Sequence, residues 1–451
     1  MKIAFLWLFL ASLALSIPVI FGLLGTTGLV ITHNLGAEFD TRDLNSLISQ
    51  LFSGMSSVPL MALPMFILAG ELMNTGGITG RLVHFSQTLI GHLRGGLAHV
   101  NILSSVLFAG LCGSAVADTS ALGSMLIPAM EKQGYTRRFA AAVTAASSVI
   151  GPIIPPSGIM IIYAFIMGVS PAALFAGGIV PGLMIGGGLM LMVAFLARRY
   201  DFPVASKRAT LCEVYQAGKV TFWPLLTPVI LLGGILTGFF TPTEAAGIAA
   251  FYALIVALFI LRALKLGELP RIFLRSAIAS GIILLLIGAS KSFSWVADQV
   301  GAAQMLADFV LGLTDDPILL LILLNVMLFV VGMFLDAGPA ILILGPILSK
   351  VYVGELGVDP IHFAIVMCVN VTVGLATPPM GLVLFVASSV SGEKVERIVQ
   401  EIWPFLLVEF AVIFLITYFP SLSMTLPAIA GFAKCPESAG LCQVLTGLTG
   451  G

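Results

Sequence analysis

Gly151-Pro152-Ile153-Ile154-Pro155-Pro156-Ser157-Gly158 stands in the middle of a strongly apolar run, where a membrane helix is expected. Two adjacent prolines cannot continue a helical hydrogen-bond ladder, and the flanking glycines let the backbone bend. The same G-x-x-x-P-P-x-G pattern returns as Gly374-Leu375-Ala376-Thr377-Pro378-Pro379-Met380-Gly381, again inside an apolar segment. A helix broken at membrane depth leaves backbone groups unpaired, which is tolerable only where the break is packed in protein or lines a watered cavity. Paired breaks in corresponding halves of a chain point to a transporter's ion and substrate site.

Composition agrees. Hydrophobic residues make up 59% of the chain, charged residues 10%, and the mean hydropathy is +1.09. A soluble domain carries about 25% charged residues, so the chain reads as an all-α polytopic membrane protein. Its 451 residues allow roughly ten to twelve crossings of about 20 residues each. A β-barrel would show alternating ten-residue segments, whereas these apolar runs are continuous. No basic run suggests nucleic acid. Met1-Lys2 and the apolar run after it look like a signal peptide, but no polar domain follows, so an uncleaved first helix is expected. None of Cys112, Cys212, Cys368, Cys435 and Cys442 falls in a C-x-x-C or Cys/His metal pattern. Cys435 and Cys442 could pair if the tail faces an oxidising compartment.

Working outward from the breaks, the sequence predicts a first helix over 3–32, a polar connection over 33–57 and a crossing over 58–77. Interfacial amphipathic arms are expected at 78–99 and 200–220. Residues 100–130 carry Gly113-Ser114-Ala115-Val116-Ala117-Asp118-Thr119-Ser120 in the centre of an apolar stretch. Such a centre is either a small-residue packing face or the tip of a re-entrant hairpin. Basic flanks at Arg94 and at Lys132, Arg137 and Arg138 favour the hairpin. Residues 317–349, centred on Gly332 to Pro339, mirror it. Broken helices are expected over 140–167 and 361–390, and further crossings over 174–197, 222–239, 244–263, 276–294 and 402–420.

Charge tests the topology. With the N-terminus inside, 17 of the 21 Lys and Arg residues lie inside; only Arg42, Lys291, Lys350 and Lys434 lie outside. Five crossings separate the two hairpins, so they enter from opposite faces. Asp118 and Asp336, like Pro128 and Pro346, are 218 positions apart. The pairs Gly151/Gly374, Pro155/Pro378, Pro156/Pro379, Gly158/Gly381 and Pro181/Pro404 are 223 apart. The difference reads as a small insertion around residues 352–360. The expected fold class is therefore an inverted repeat with two re-entrant helical hairpins and two broken transmembrane helices.

Helix C-ends present bare carbonyls that suit Na⁺, and N-ends present N–H groups that suit carboxylates. A hard cation needs about five or six oxygens. In the first half Ser114, Asp118, Thr119, Ser120, Ser147, Ser148 and the carbonyls near Gly151 can supply them. In the second half Asp336, Asn370, Thr372, Thr377 and the carbonyls around Gly332 and Gly374 can. Asp118 and Asp336 can equally be N-caps of the second hairpin arms, and the serines can be packing residues. Glu71 and Glu244 read as interfacial or capping. The five histidines, at 33, 84, 92, 99 and 362, fall at expected interfaces or loops, and no H-E-x-x-H occurs, so an intramembrane enzyme is not the reading. A channel does not explain two opposed hairpins.

Several stretches carry a resemblance over most of residues 1–420: Phe66-Ile67-Leu68-Ala69-Gly70-Glu71-Leu72-Met73-Asn74, Gly91-His92-Leu93-Arg94-Gly95-Gly96-Leu97-Ala98, Gly113 to Asp118, Ile150 to Ser157, and Thr241-Pro242-Thr243-Glu244-Ala245-Ala246. The chain resembles the large membrane subunit (DctM-like) of tripartite ATP-independent periplasmic (TRAP) transporters; its tail from about 421 departs from that pattern. The resemblance implies an ion-transporter-superfamily elevator fold and a Na⁺-driven importer in the bacterial inner membrane, with a cytoplasmic N-terminus and a periplasmic tail. It implies two partners, a small four-helix membrane subunit and a periplasmic binding protein that delivers an organic acid such as a C4-dicarboxylate or sialic acid. The division it suggests is scaffold and arm over 1–99, transport block over 100–170, scaffold and second arm over 171–316, transport block over 317–392, a last scaffold helix over 393–420 and a tail over 421–451. Sodium ligands are expected among Gly113, Ser114, Asp118, Thr119, Ile150, Gly151, Gly332, Asp336, Gly338, Gly374, Thr377 and Met380. Substrate contacts are expected among Ser114, Ala115, Ser157, Gly338, Pro339 and Thr377. A stand-alone Na⁺- or H⁺-coupled carboxylate carrier shares this plan and is the alternative.

Overall fold

The computed structural model describes residues 7–433, except 10, 13, 14, 16, 34–40, 57, 201, 203–207, 302, 303, 306, 307, 309–311, 313 and 315. The possible Cys435–Cys442 pair lies outside the described residues. Seven described helical segments are long and apolar enough to cross a membrane.

The chain enters through α1 (Val19–Thr32), which starts immediately after Pro18. The expected single helix over 3–32 is thus interrupted, because proline supplies no N–H and suits a helix start. The expected polar connection contains a helix instead, α2 (Thr41–Met55). It lies along α12 (Leu269–Gln299), where a Cβ on Gly54 would come within 2.8 Å of the Gly288 Cα. A 3₁₀ turn (Val58–Met61) leads into α3 (Ala62–Thr75), and α4 (Ile78–Ile90) follows as a half-buried helix. The first arm is therefore shorter than 78–99, since α5 already starts at Gly96.

The first hairpin is α5 (Gly96–Cys112) and α6 (Ala115–Lys132). Its two-residue tip has Gly113 in the left-handed region, at φ +60°. The first broken helix is α7 (Arg137–Ser148) and α8 (Gly158–Met167), and α9 (Pro171–Arg199) crosses back. Then come α10 (Leu211–Leu236), α11 (Pro242–Ile255, with a π turn to Ile260) and α12. The second arm expected at 200–220 is not a separate helix; its described part from Leu211 forms the opening turns of α10. The second hairpin is α13 (Pro317–Phe334) and α14 (Ala337–Ser349), the latter continued by a π turn (Lys350–Glu355). The second broken helix is α15 (Pro360–Gly374) and α16 (Leu382–Ser391). α17 (Val395–Tyr418) and a short α18 (Ser421–Ile429) end the described chain.

Five elements repeat: hairpin arm, hairpin arm, half-helix, half-helix, crossing. Residues α5–α9 correspond to α13–α17. Each double-proline octet leaves a non-helical gap, at 149–157 and 375–381. The breaks are tolerated because they are enclosed: every residue of α7 from Phe139 and of α15 from Ile361 is buried.

The register of the repeat differs from the 218-position match. Ser114 is the N-cap of α6 and Asp336 the N-cap of α14. Counted from these caps, Asp118 falls opposite Ala340, so the two aspartates are not equivalent. No insertion of five residues separates tip and break; the π turn at 350–355 takes up one extra residue.

Packing separates the helices into two groups. α3 packs on α11 and α12, and α12 also on α1 and α2; α4 packs on α10, and α10 on α11. The hairpins, the half-helices, α9, α17 and α18 form the other group. The sequence division placed α9 and α17 with the scaffold. α9 instead packs on α5, α8, α15 and α17, and α17 on α7, α13, α15 and α16. Both crossings complete the repeat units they belong to.

Candidate functional site

A cavity of about 450 Å³ lies where both hairpin tips and both breaks meet. Ser114, Ala115 and Val116 reach it from the start of α6, Gly158 and Ile159 from α8, Gly338 and Pro339 from α14, and Leu382 from α16. Four helices thus begin at its wall. Each brings free backbone N–H groups and the positive end of its dipole. The wall from the other packing group is apolar, with Leu63, Phe66, Leu231, Ile283 and Leu286, apart from Thr227. No Lys or Arg lines the cavity, and Asp336 is its one acidic residue.

The tips are pressed against the breaks by glycine. A Cβ on Gly113 would sit 2.6 Å from the Pro156 carbonyl oxygen, and one on Gly151 would lie 3.6 Å from that of Ser114. In the second half a Cβ on Gly374 would sit 2.6 Å from the Gly332 Cα. Each tip therefore holds its own break at backbone distance.

Asp118 sits one turn into α6, at 1% exposure, and neither carboxylate oxygen has a hydrogen-bond partner. The Ser105 and Ser148 hydroxyls lie beside it, but their protons go elsewhere. Ser148 Oγ donates to the Thr144 carbonyl (2.7 Å) and Ser105 Oγ to Ser147 Oγ (3.1 Å). Ser147 Oγ donates to Asn101 Oδ1 (3.2 Å), and Asn101 Nδ2 to Thr144 Oγ1 (2.6 Å). Oxygen lone pairs are thus left facing a buried carboxylate close to the C-end of α7. That donor set is all oxygen and suits a hard monovalent cation. Among the described residues no group of three His, Cys, Asp or Glu side chains could hold a metal.

The second half is built differently. Asp336 Oδ1 accepts from the Ala337 N–H (2.8 Å) as a cap. Thr377 Oγ1 donates to the Val373 carbonyl (2.9 Å), and Thr372 Oγ1 to that of Cys368 (2.6 Å). Asn370 Nδ2 donates to Asn325 Oδ1 (2.9 Å), which also accepts from Thr417 Oγ1 (3.2 Å). Asn370 Oδ1 has no partner.

Of the residues singled out from the sequence, Gly113, Ser114, Ala115, Asp336, Gly338 and Pro339 line the cavity. Asp118, Thr119, Ile150, Gly151, Ser157, Gly332, Gly374 and Thr377 stand behind it or beside it. Thr119 Oγ1 donates to Ala115 O in its own helix, and Ser157 Oγ caps α8 by accepting from the Met160 N–H. Met380 is half exposed. Glu244 forms a capping box with Thr241, as the capping reading expected. His99 and His362 are not at interfaces or loops: both are buried inside helices, and His362 Nδ1 lies 2.7 Å from Ser423 Oγ. Sequence reasoning passed over Asn101, Ser105, Thr144 and Asn325, and also Glu409, fully buried in α17 with both carboxylate oxygens unpartnered. A polar residue alone in an apolar helix was the only available signal.

Known proteins were then compared. The sequence profile of the DctM component of the tripartite ATP-independent periplasmic transporters matches residues 6–422. The chain is 36% identical over 404 residues to the sialic acid TRAP transporter large permease protein SiaM of Vibrio cholerae, covering 89% of this chain and 92% of that one. It is 38% identical over 395 residues to the C4-dicarboxylate TRAP transporter large permease protein DctM of Pseudomonas aeruginosa, covering 88% and 92%. Among solved structures the YdaH transporter of Alcanivorax borkumensis superposes with a TM-score of 0.60 at 17% identity, over 96% of this chain and 98% of that one; this likeness speaks for the fold alone.

Proposed function

The chain belongs to the DctM component family of the tripartite ATP-independent periplasmic transporters, and from that premise we propose that it carries an organic acid inward, driven by Na⁺. As a TRAP large permease it works in a tripartite system, with a small membrane subunit and a periplasmic binding protein. The single observation that carries the proposal is the cavity where four helix N-termini converge, backed by the unpartnered Asp118. Converging N–H groups favour a carboxylate without a basic side chain. The buried carboxylate favours a cation, and an isolated charge there is costly without one. One Na⁺ is assigned to Asp118, the neighbouring serine oxygens and the C-end of α7; a second to the tip carbonyls of α13, Thr377 and the C-end of α15. The acid lies between the tips, against Ser114, Ala115, Gly338 and Pro339. The relatives' substrates, sialic acid and C4-dicarboxylates, are both carboxylates.

The two packing groups support an elevator movement, in which hairpins, half-helices, α9 and α17 travel together along α3 and α10–α12. The charge count favours a cytoplasmic N-terminus in the inner membrane. The test is uptake by proteoliposomes holding both membrane subunits, with the cognate binding protein outside. Radiolabelled succinate, fumarate and sialic acid are scanned with and without an inward Na⁺ gradient. Uptake of one acid is expected only with both the gradient and the binding protein. Equal uptake without Na⁺ defeats the coupling; equal uptake without the binding protein favours a stand-alone carrier.

A further inference from the structure

A second cavity, of about 260 Å³, lies farther along α12. The helix lines both spaces: Ile283 and Leu286 face the first, and Ser290, Lys291 and Ser294, on later turns, face the second. Phe165 of α8 and Leu342 of α14 close the opposite side. The cavity therefore occupies the seam between the two packing groups.

Two observations distinguish it from a packing gap. Ser290 is 1% exposed, and its hydroxyl has no hydrogen-bond partner. A buried hydroxyl left unbonded is costly, and a ligand accepting from it removes that cost. Next to it Lys291 supplies a cation, with Nζ held 2.8 Å from Ser53 Oγ of α2. A hydroxyl donor beside an ammonium matches a carboxylate, with one neutral and one charge-assisted hydrogen bond. Asp298, two turns on, does not cancel that charge, because it is paired with Lys350 (Nζ to Oδ1 2.6 Å).

We propose that this cavity is a waiting site for the carboxylate of the incoming acid, held by Lys291 and Ser290 before it reaches the hairpin tips. The proposal rests on the reading that the chain imports an organic acid, in the orientation the charge count favours. In that orientation α12 runs outward, and the arriving acid meets Lys291 before Leu286. The division of labour is physical. Helix N-termini hold an anion at contact, but their field fades within a turn. A full charge reaches about 10 Å at 0.1 M salt. Lys291 captures; the four N-termini bind.

The test uses the reconstituted complex with its binding protein and whichever of succinate or sialic acid the uptake scan finds to be carried. Initial rates are measured against acid concentration at low and high ionic strength, together with the Na⁺ half-saturation, for Lys291→Gln, Lys291→Arg, Ser290→Ala and Ser53→Ala. Lys291→Gln is expected to slow uptake at sub-saturating acid about tenfold, with the deficit shrinking at high salt. Lys291→Arg and Ser53→Ala are expected to transport like the wild type, Ser290→Ala to raise the half-saturating acid concentration, and all four to keep the wild-type Na⁺ half-saturation. The idea is overturned if Lys291→Gln matches the wild type at every acid concentration. It is equally overturned if Ser53→Ala reproduces the Lys291→Gln loss, because the lysine would then act only as a tether. Should the wild type itself carry acid without Na⁺, the coupling fails, while the ratio of Lys291→Gln to wild type still reports on the waiting site.

Discussion

Asp118 combines complete burial with two unbonded carboxylate oxygens beside three serines. Replacing it by asparagine keeps the shape and removes the charge. Asp118→Asn is expected to raise the Na⁺ half-saturation of uptake at least tenfold, about the effect of losing one charged contact. An unaltered Na⁺ dependence would move the ion elsewhere. Gly113→Ala tests the neighbouring contact, since a methyl there collides with the Pro156 carbonyl at a left-handed position. A loss of roughly 1–3 kcal/mol is expected, read as a lower melting temperature in detergent; unchanged melting would mean that tip and break are not in contact. Asp118 stood out in the sequence because a charge in an apolar run is conspicuous. Its role did not, because Ser114 and Asp118 can both cap a helix and spacing does not choose between them. The left-handed Gly113 chooses, by ending α5 just before the serine. Asn101 left even less trace: its meaning comes from Thr144 and Ser147, which are more than forty positions away in the chain.

At the scale of elements, the breaks were readable wherever two prolines removed consecutive N–H donors. α2 was not, because Asp43, Asn45, Ser46, Ser49 and Gln50 look like a loop. Its pattern of Leu44, Leu47, Ile48 and Leu51 is nevertheless helical, and Leu47 is buried. The membership of α9 and α17 was hidden for a different reason: a plain apolar crossing says nothing about which neighbour it keeps. The grouping makes a mechanical prediction at the Lys350–Asp298 contact, which joins the π turn to α12 across the seam. In an exposed setting such a pair contributes little to stability. A covalent link at the same place is another matter. Asp298→Cys together with Lys350→Cys, bridged by a short bis-thiol reagent, is expected to stop uptake, and reductive release of the bridge to restore it. Transport at the normal rate through an intact bridge would rule out movement of one group along the other.

At the scale of the whole molecule, the inverted repeat was legible from the two octets and the charge count, although its register was misplaced. Proline pairs mark positions in the chain; they do not show where a helix starts. The proposed topology places Lys132 and Glu355, the last residues of the two second arms, on opposite faces. In a chain whose own five cysteines are replaced, Glu355→Cys is expected to react with an impermeant maleimide on spheroplasts. Lys132→Cys is expected to react only after the membrane is opened. Labelling of both from one side would dismantle the repeat as described.

The wide turn at Lys350–Glu355 bears on how such a protein enters the bilayer at all. Two matched copies of opposite sense would look alike to the insertion machinery right side up or upside down, and a population could settle both ways. Here one copy winds in an additional residue, only one bears a carboxylate deep in its arm, and the lysines and arginines are shared unequally between the faces. These departures from equality leave the nascent chain a single preferred way to sit.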